Sequence, residues 1–375
     1  MIINDKMKKI AVVVKSEGIE YDDRVRKVSL ALSKKYYVKI FIVQDDNSES
    51  SGKTKYGIDY ESIKLPLRDK LPHGKFLMIK TLEYYFRVIG RIKDFDYYWY
   101  NEEKTFLFPL LAPKSQIFVW DQHEIPEKFC FGIMKYFFNI IEKKCKLMFH
   151  ANPQRIEYLK SINLIKCPEK HRVIHNYPDE ICISSESKAP CYDSFKEWLG
   201  NSEYVYLQGL NEPQRRPFNS ISAILDNTNY KIFVAGYFDN NDKKRLEEKY
   251  PDLYERVFYA GLVPQLTIPS ILKKSKFTIV LYETSTPNNK YCEANRMYQS
   301  MSLGVPIIVG ENPSMAEVVD GIFGIALKSD GSDIEELNEA VKVMCQNMDK
   351  YKVNCLKHSR DYIWSENMVD TDWIQ

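Results

Sequence analysis

Apolar positions along this chain alternate between two rhythms. Lys9 to Val14 is a short, nearly uninterrupted β-branched run, which reads as a strand buried on both faces. Val25, Val28 and Leu32 follow at helical spacing, and Val38 to Val43 is a second apolar run. Strand, helix, strand is a βαβ unit, whose crossover should be right-handed. Tyr97 to Tyr100 and Gln116 to Trp120 read as later strands of the same sheet. Cys130, Ile133, Met134, Phe137, Phe138 and Ile141 predict a helix over 128–148 with that face in the core. Lys135, Asn139, Glu142, Lys143 and Lys146 then form its solvated back.

Periodicity fades from residue 181, where the chain runs through Ser-Ser-Glu-Ser-Lys-Ala-Pro, and 181–198 reads as a linker. The pattern then restarts. Tyr204 to Leu207, Lys231 to Ala235, Phe277 to Leu281 and Ile307 to Val309 are strands. Pro217 opens a helix buried through Phe218, Ile221 and Leu225. Ser332 and Glu335 form a capping box before Ile334, Leu337, Val341 and Met344. The expected fold class is α/β: two Rossmann-like doubly wound domains, 1–180 and 199–355, followed by a tail over 356–375. Such sheets bind ligands at the carboxyl ends of their strands.

Composition narrows the chemistry. With 44% apolar and 28% charged residues among 375, the chain is globular rather than disordered. It has only 15 glycines, so a glycine-rich phosphate loop is an unpromising device here. Residues 1–180 carry 32 basic against 24 acidic side chains, and the remainder 21 against 27. A basic first half suits an anionic surface. The eight cysteines form no Cys-x-x-Cys and no zinc spacing, which fits reduced thiols in a cytoplasmic protein. The most apolar stretch, Phe129 to Ile141, is too short to span a bilayer, although the protein could lie against one. No metal site, resident cofactor or nucleic-acid partner is expected.

The segment Asn288 to Gly310 is the most informative. It reads as a loop, a short helix capped near Asn295, a stop at Gly304 and a buried strand. The free N–H groups at such a helix start suit a phosphate, and Arg296 adds a planar cation there. Gln299 lies three residues on and should share its face.

From Asn295 onward this segment resembles the donor site of bacterial GT-B glycosyltransferases of the family 4 type, through Asn295, Tyr298, Met301, Gly304, Pro306 and Ile308. Arg296 stands where that family has Lys, and Gln299 where it has the Glu that holds the ribose hydroxyls. Tyr291 takes the place of a second Glu that faces the donor sugar, with Glu293 two residues out of register. Tyr21-Asp22-Asp23-Arg24-Val25 resembles the start of the family's first helix, on the acceptor side. Asp121-Gln122-His123-Glu124 resembles its Asp-x-His-Glu strand end, and Val173 to Pro178 its strand-Asn-x-Pro stop. Gln208-Gly209 followed by Arg215 resembles the opening of its second domain, where the Arg meets the diphosphate.

The resemblance implies a nucleotide-sugar donor and a saccharide or lipid-linked saccharide acceptor of the cell envelope. It also implies retention of configuration, metal independence and a basic first domain close to the inner face of a membrane. The last twenty residues, with Tyr362, Trp364 and Trp373, should form a helix returning to the first domain. Arg215, Arg296 and the helix start at 295–297 are the candidates for holding the leaving diphosphate, with Arg216 and Lys290 in reserve. His123 and Glu124 are candidates for orienting or deprotonating the acceptor hydroxyl. Two other readings stay open at this level: a nucleotide-sugar epimerase on the same fold, and a non-catalytic nucleotide-binding partner. An NAD-dependent oxidoreductase is disfavoured, because Lys15-Ser16-Glu17-Gly18 lacks Gly-x-Gly-x-x-Gly.

Overall fold

The structure, a computed structural model, describes residues 7–16, 18–19, 22–72 and 74–374. Tyr21 and Glu17 of the motifs above lie outside them. The chain forms two compact units, one comprising residues 1–175 and 365–375 and the other 176–364.

The first unit is built on an eight-stranded sheet of order β3-β4-β2-β1-β5-β6-β7-β8. Its strands are β1 (Lys9–Lys15), β2 (Tyr37–Val43), β3 (Ser50–Lys53), β4 (Asp59–Ser62), β5 (Tyr97–Asn101), β6 (Ile117–Gln122), β7 (Met148–His150) and β8 (His171–Val173). Only the β3–β4 pair is antiparallel. Its helices are α1 (Asp23–Ser33), α2 (Pro66–Lys70), α3 (Leu77–Ile92), α4 (Leu107–Leu111), α5 (Gly132–Lys144) and α6 (Pro153–Ser161). Ile10 to Val14 are wholly buried, as a central parallel strand covered on both faces requires. Each such Val or Ile contributes about 1.5–3 kcal/mol of transfer free energy.

The helix expected over 128–148 departs from its pattern. Glu127–Cys130 is a 3-10 turn, and the α-helix starts at Gly132, whose φ of 56° only glycine adopts freely. Phe138 and Ile141 are buried, but Ile133 is exposed. Glu142, expected on the solvated back, is fully buried. Its carboxylate accepts from Lys166 N (2.8 Å), Cys167 N (2.9 Å) and His171 Nε2 (3.0 Å). Burial opposes its ionisation, but these donors, His171 first, hold its carboxyl below the usual range. Hydrogen-bonding partners from distant sequence therefore override the helical pattern.

The second unit carries helices α7 (Glu180–Ile183), α8 (Tyr192–Leu199), α9 (Pro217–Asn227), α10 (Asn240–Lys249), α11 (Leu253–Arg256), α12 (Pro269–Leu272), α13 (Pro287–Lys290), α14 (Asn295–Ser302), α15 (Pro313–Val319) and α16 (Ile334–Lys357). Its strands are β9 (Tyr204–Gln208), β10 (Lys231–Ala235), β11 (Val257–Gly261), β12 (Thr278–Val280), β13 (Ile307–Val309) and β14 (Gly324–Ala326). They form two parallel three-stranded sheets, β11-β10-β9 and β12-β13-β14. Lys276 N donates to Tyr204 O (2.9 Å) and Tyr206 N to Ser275 Oγ (2.8 Å), which ties the approach to β12 onto β9.

Three expectations need correction. Residues 181–198 are no free linker, because α8 buries Phe195 and Leu199 against Tyr204, Phe233 and Ile271. The cap of α16 is Asp333, which accepts from Glu335 N and Glu336 N at 3.1 Å, rather than Ser332 with Glu335. The tail does not continue as a helix after Lys357; among the described residues it contains only the short 3-10 turn Glu366–Met368. Tyr362 stays in the second unit, stacked on Tyr298 at 5.4 Å. In the first unit Trp373 meets Tyr97 (5.7 Å) and Trp99 (6.2 Å). Apolar anchors hold this segment without helical hydrogen bonding.

Candidate functional site

In the second unit β9 ends at Gln208, and Gly209 turns with φ of 70°. A Cβ there would lie 2.7 Å from Nη1 of both Arg215 and Arg296. Arg215 ends the 3-10 turn Pro213–Arg215 and donates to the Gly209 carbonyl at 3.0 Å. Arg296, in the first turn of α14, donates to the carbonyls of Gln208 and, at 3.4 Å, Gly209. Both guanidiniums lie over the Tyr282 ring, at 5.3 and 4.9 Å from its centroid.

Two tethers bring these elements together. Glu283 N donates to Gln214 O, and Asn289 Nδ2 to Gln214 Oε1, both at 2.7 Å. Arg296 Nε and Nη2 and Arg215 Nε are buried with no hydrogen-bond partner among the described residues, the nearest carboxylate to Arg215 being Glu212 at 3.9 Å from its Nε. Burial, and then the neighbouring Arg215, push the Arg296 pKa down, as expected for a cation short of counter-charge. The arrangement has unused donors and excess positive charge, which an anion with several oxygens would satisfy.

The other sequence-predicted residues are placed differently. Arg216, in the left-handed region at φ of 51°, is occupied by Asp330 at 2.6 Å, with Glu283 at 4.0 Å. Tyr298 and Glu293 are buried, and the Tyr298 hydroxyl donates to Glu293 Oε1 at 2.6 Å. Burial and then Glu293 raise that phenol's pKa. Gln299 turns its amide to Cys182 Sγ (3.2 Å) on α7, away from the carbonyls that Arg296 meets. Asn295 is the exposed first residue of α14, whose cap position is Ala294 with no side-chain bond. Lys290 is exposed, with its ammonium 5.8 Å from the ring centre of the half-buried Tyr291. Tyr282, the platform for both arginines, was not a sequence candidate. Its one signal was its position just after a strand and before the informative segment.

In the first unit Arg24 grips Asp121 through two bonds, Nη2 to Oδ1 at 2.6 Å and Nε to Oδ2 at 3.1 Å. Arg24 Nη1 also donates to the Ile174 carbonyl, and Trp99 Nε1 to Asp121 Oδ2 at 3.3 Å. Burial would raise the Asp121 carboxyl, but Arg24 holds it below the ordinary range. His123 follows at the end of β6, 13% exposed. Asn101 spends its NH2 on Val13 O (3.1 Å), so its Oδ1 accepts from His123 Nε2 (3.1 Å). That places a proton on Nε2. Nδ1 then faces Glu102 Oε1 at 3.6 Å.

Glu102 is a second residue that sequence reading passed over. It follows β5 with φ of 62°, a costly conformation for a non-glycine residue. Burial raises its carboxyl pKa, against the pull of His123 and Lys104. Its signal was a polar Asn-Glu pair closing a Tyr-rich strand. Glu124 is exposed. Asp22 caps α1 by accepting from Val25 N at 3.0 Å. Asp23 pairs with Arg26 and with Lys27 (2.7 Å); burial opposes its ionisation, and these cations, Lys27 first, hold its carboxyl low. Both aspartates thus act on the helix that carries them.

Among the described residues there is no group of three or more His, Cys, Asp or Glu arranged to hold a metal ion, and no helix is long and apolar enough to cross a membrane.

No family model matches the chain, and no curated protein matches it. Solved structures do match. Sucrose-phosphate synthase from Thermosynechococcus elongatus aligns over 96% of each chain at 12% identity, with a TM-score of 0.76. A glycosyltransferase from Rickettsia africae aligns over 97% of this chain and 96% of its own at 14% identity, with a TM-score of 0.69. Anabaena HepE, solved with UDP and glucose, aligns over 96% and 97% at 16% identity, with a TM-score of 0.68. The chain therefore has the α/β GT-B fold of these glycosyltransferases.

Proposed function

We propose that this chain is a glycosyltransferase of the family 4 type that takes its sugar from a nucleoside diphosphate. The observation that carries this reading is the Arg215–Arg296 pair, with buried, unused N–H groups at the carboxyl end of β9. Transfer breaks the bond between the anomeric carbon and the β-phosphate oxygen, and the electron pair leaves on that oxygen. Charge therefore grows where Arg215 and Arg296 stand ready with donors. Their orientation is paid in advance by Gly209 and Tyr282, so little reorganisation is left for the reaction.

The acceptor hydroxyl forms the new bond at the anomeric carbon on the face from which the phosphate departs, and its proton goes to the departing phosphate oxygen, which gives retention without a metal. His123, whose Nε2 is hydrogen-bonded to Asn101 Oδ1, orients the acceptor. The acceptor is a saccharide of an envelope polysaccharide or of a lipid-linked oligosaccharide, met at the inner face of a membrane. UDP is the donor nucleotide to try first, since HepE, a protein of the same fold, was solved with it.

The test is a thermal-shift panel of UDP, GDP, dTDP and CMP, followed by calorimetry on the best ligand. A stabilising nucleoside diphosphate whose binding is lost in Arg296→Ala supports the reading. Absence of any shift, or a shift indifferent to Arg296, defeats it.

A further inference from the structure

The first unit holds a cavity of about 210 Å³ at the carboxyl end of β1. Lys15, Lys80, Lys104 and Lys128 line it, together with Leu77, Phe129 and Tyr84. The lysines are not equally satisfied. Lys128 pairs with Glu103 at 2.6 Å, and Lys104 lies 3.7 Å from Glu102. Among the described residues Lys80 donates only to the carbonyls of Leu71 (3.2 Å) and Pro72 (2.9 Å). Lys15 has no hydrogen-bond or ion-pair partner among the described residues. Its pKa is pushed down by burial and by the nearby Arg68 and Lys104. Tyr84 is 2% exposed, and its hydroxyl has no partner among the described residues. An orphan hydroxyl and an ammonium without a direct partner among the described residues thus line one cavity, although Asp45 lies near enough to favour the charge of Lys15, and an anion would satisfy both groups.

The cavity is bordered by an unusual surface. Leu77, Met78 and Phe86 of α3 are 57, 58 and 68% exposed. At the start of α5, Phe131 and Ile133 are 73 and 70% exposed. Leu77 and Met134 line the cavity itself, so both helices reach it. Exposed apolar side chains in this number mark a binding surface rather than ordinary solvent contact.

We propose that this cavity binds the phosphate head of an amphipathic molecule whose hydrocarbon part lies along the exposed faces of α3 and α5. Lys15 and Lys80 supply the charge, and Tyr84 donates through its hydroxyl. The ligand class is a phosphorylated lipid that carries the acceptor. This rests on the acceptor half of the proposed function and is independent of the donor site, since its test needs no nucleotide.

The experiment measures binding of dodecyl phosphate, below its micelle concentration, to the full chain by calorimetry. Dodecyl maltoside and inorganic phosphate serve as the uncharged amphiphile and the bare anion. Dodecyl phosphate should bind at least about tenfold more tightly than either, because head and chain are both engaged. Lys15→Met and Tyr84→Phe should each weaken it by about tenfold. Tyr84→Phe should also raise the melting temperature of the free protein, since it removes an unsatisfied buried hydroxyl. A purely structural tyrosine would not show that opposite pair of effects. Phe131→Ser, at an exposed position that folding does not need, should weaken dodecyl phosphate and leave inorganic phosphate unchanged. Equal affinity for the three probes, or dodecyl phosphate affinity unchanged in Lys15→Met, would overturn the proposal. So would loss of sedimentation with phosphatidylglycerol vesicles in Lys15→Met, since that would assign the cavity to a bilayer headgroup.

Discussion

Arg215 and Arg296 share a single acceptor, the Gly209 carbonyl, although one closes a 3-10 turn and the other opens a helix. Two cations meeting on one neutral oxygen repel each other, and Nε of each and Nη2 of Arg296 stay without a hydrogen-bond partner among the described residues. That is a costly arrangement for a folded protein and a useful one for a protein that binds a diphosphate.

Arg296→Ala should weaken UDP binding by at least ~1.5 kcal/mol, the loss expected for a charge-assisted hydrogen bond. The same variant, without nucleotide, should melt no lower than the parent, because it removes a buried cation and then its repulsion with Arg215. Calorimetry and a melting curve check both halves. Loss of stability with unchanged UDP affinity would make Arg296 structural.

Gly209→Ala should cost about 1 kcal/mol or more of stability from the positive φ alone. Its Cβ, 2.7 Å from both guanidiniums, should also displace them and reduce UDP affinity. Urea unfolding with parallel UDP titration measures the two effects separately.

Asp121→Asn should destabilise the protein by about 3–5 kcal/mol, the usual cost of leaving a buried cation unpaired. The Asp121 pKa is depressed in the folded state, so its contribution is present above the unfolded carboxylate value near ~3.9. It is lost as pH falls from there through the folded value. Urea midpoints measured from pH 6 down to pH 3 should fall less steeply in the Asn variant. An identical acid slope would show that Asp121 does not set it.

His123→Ala should reduce sugar transfer by about 100-fold or more, as for other positioned proton-bearing groups. UDP affinity should stay within about twofold, since every contact of His123 described above lies in the first unit and its loss removes no diphosphate contact. Asn101→Ala removes the acceptor that orients the imidazole and should lower transfer in the same direction, by a smaller factor. Equal loss of transfer and nucleotide binding on His123→Ala would point to a folding role.

Much was legible in the chain itself, for a physical reason. A strand buried on both faces must be continuously apolar, and a covering helix must repeat its apolar residues near 3.6. Lys9 to Val14, Lys231 to Ala235 and Ile307 to Val309 therefore announce themselves. The motif segments also named Gly209, Arg215 and Arg296, and the fold brings these three together. Glu142 was misread for the same reason: helical spacing puts it with the solvated residues, and only distant N–H donors bury it.

What tertiary structure alone decided is which side chains of one motif meet. Arg296 reaches the end of β9, while Gln299, three residues on, turns to Cys182, and Arg216 is claimed by Asp330. The meeting of Lys15, Lys80 and Tyr84 around one cavity belongs to the same class. Electrostatic pairing and desolvation act between residues distant in sequence, so their outcome is settled only when the sheet brings its strand ends together.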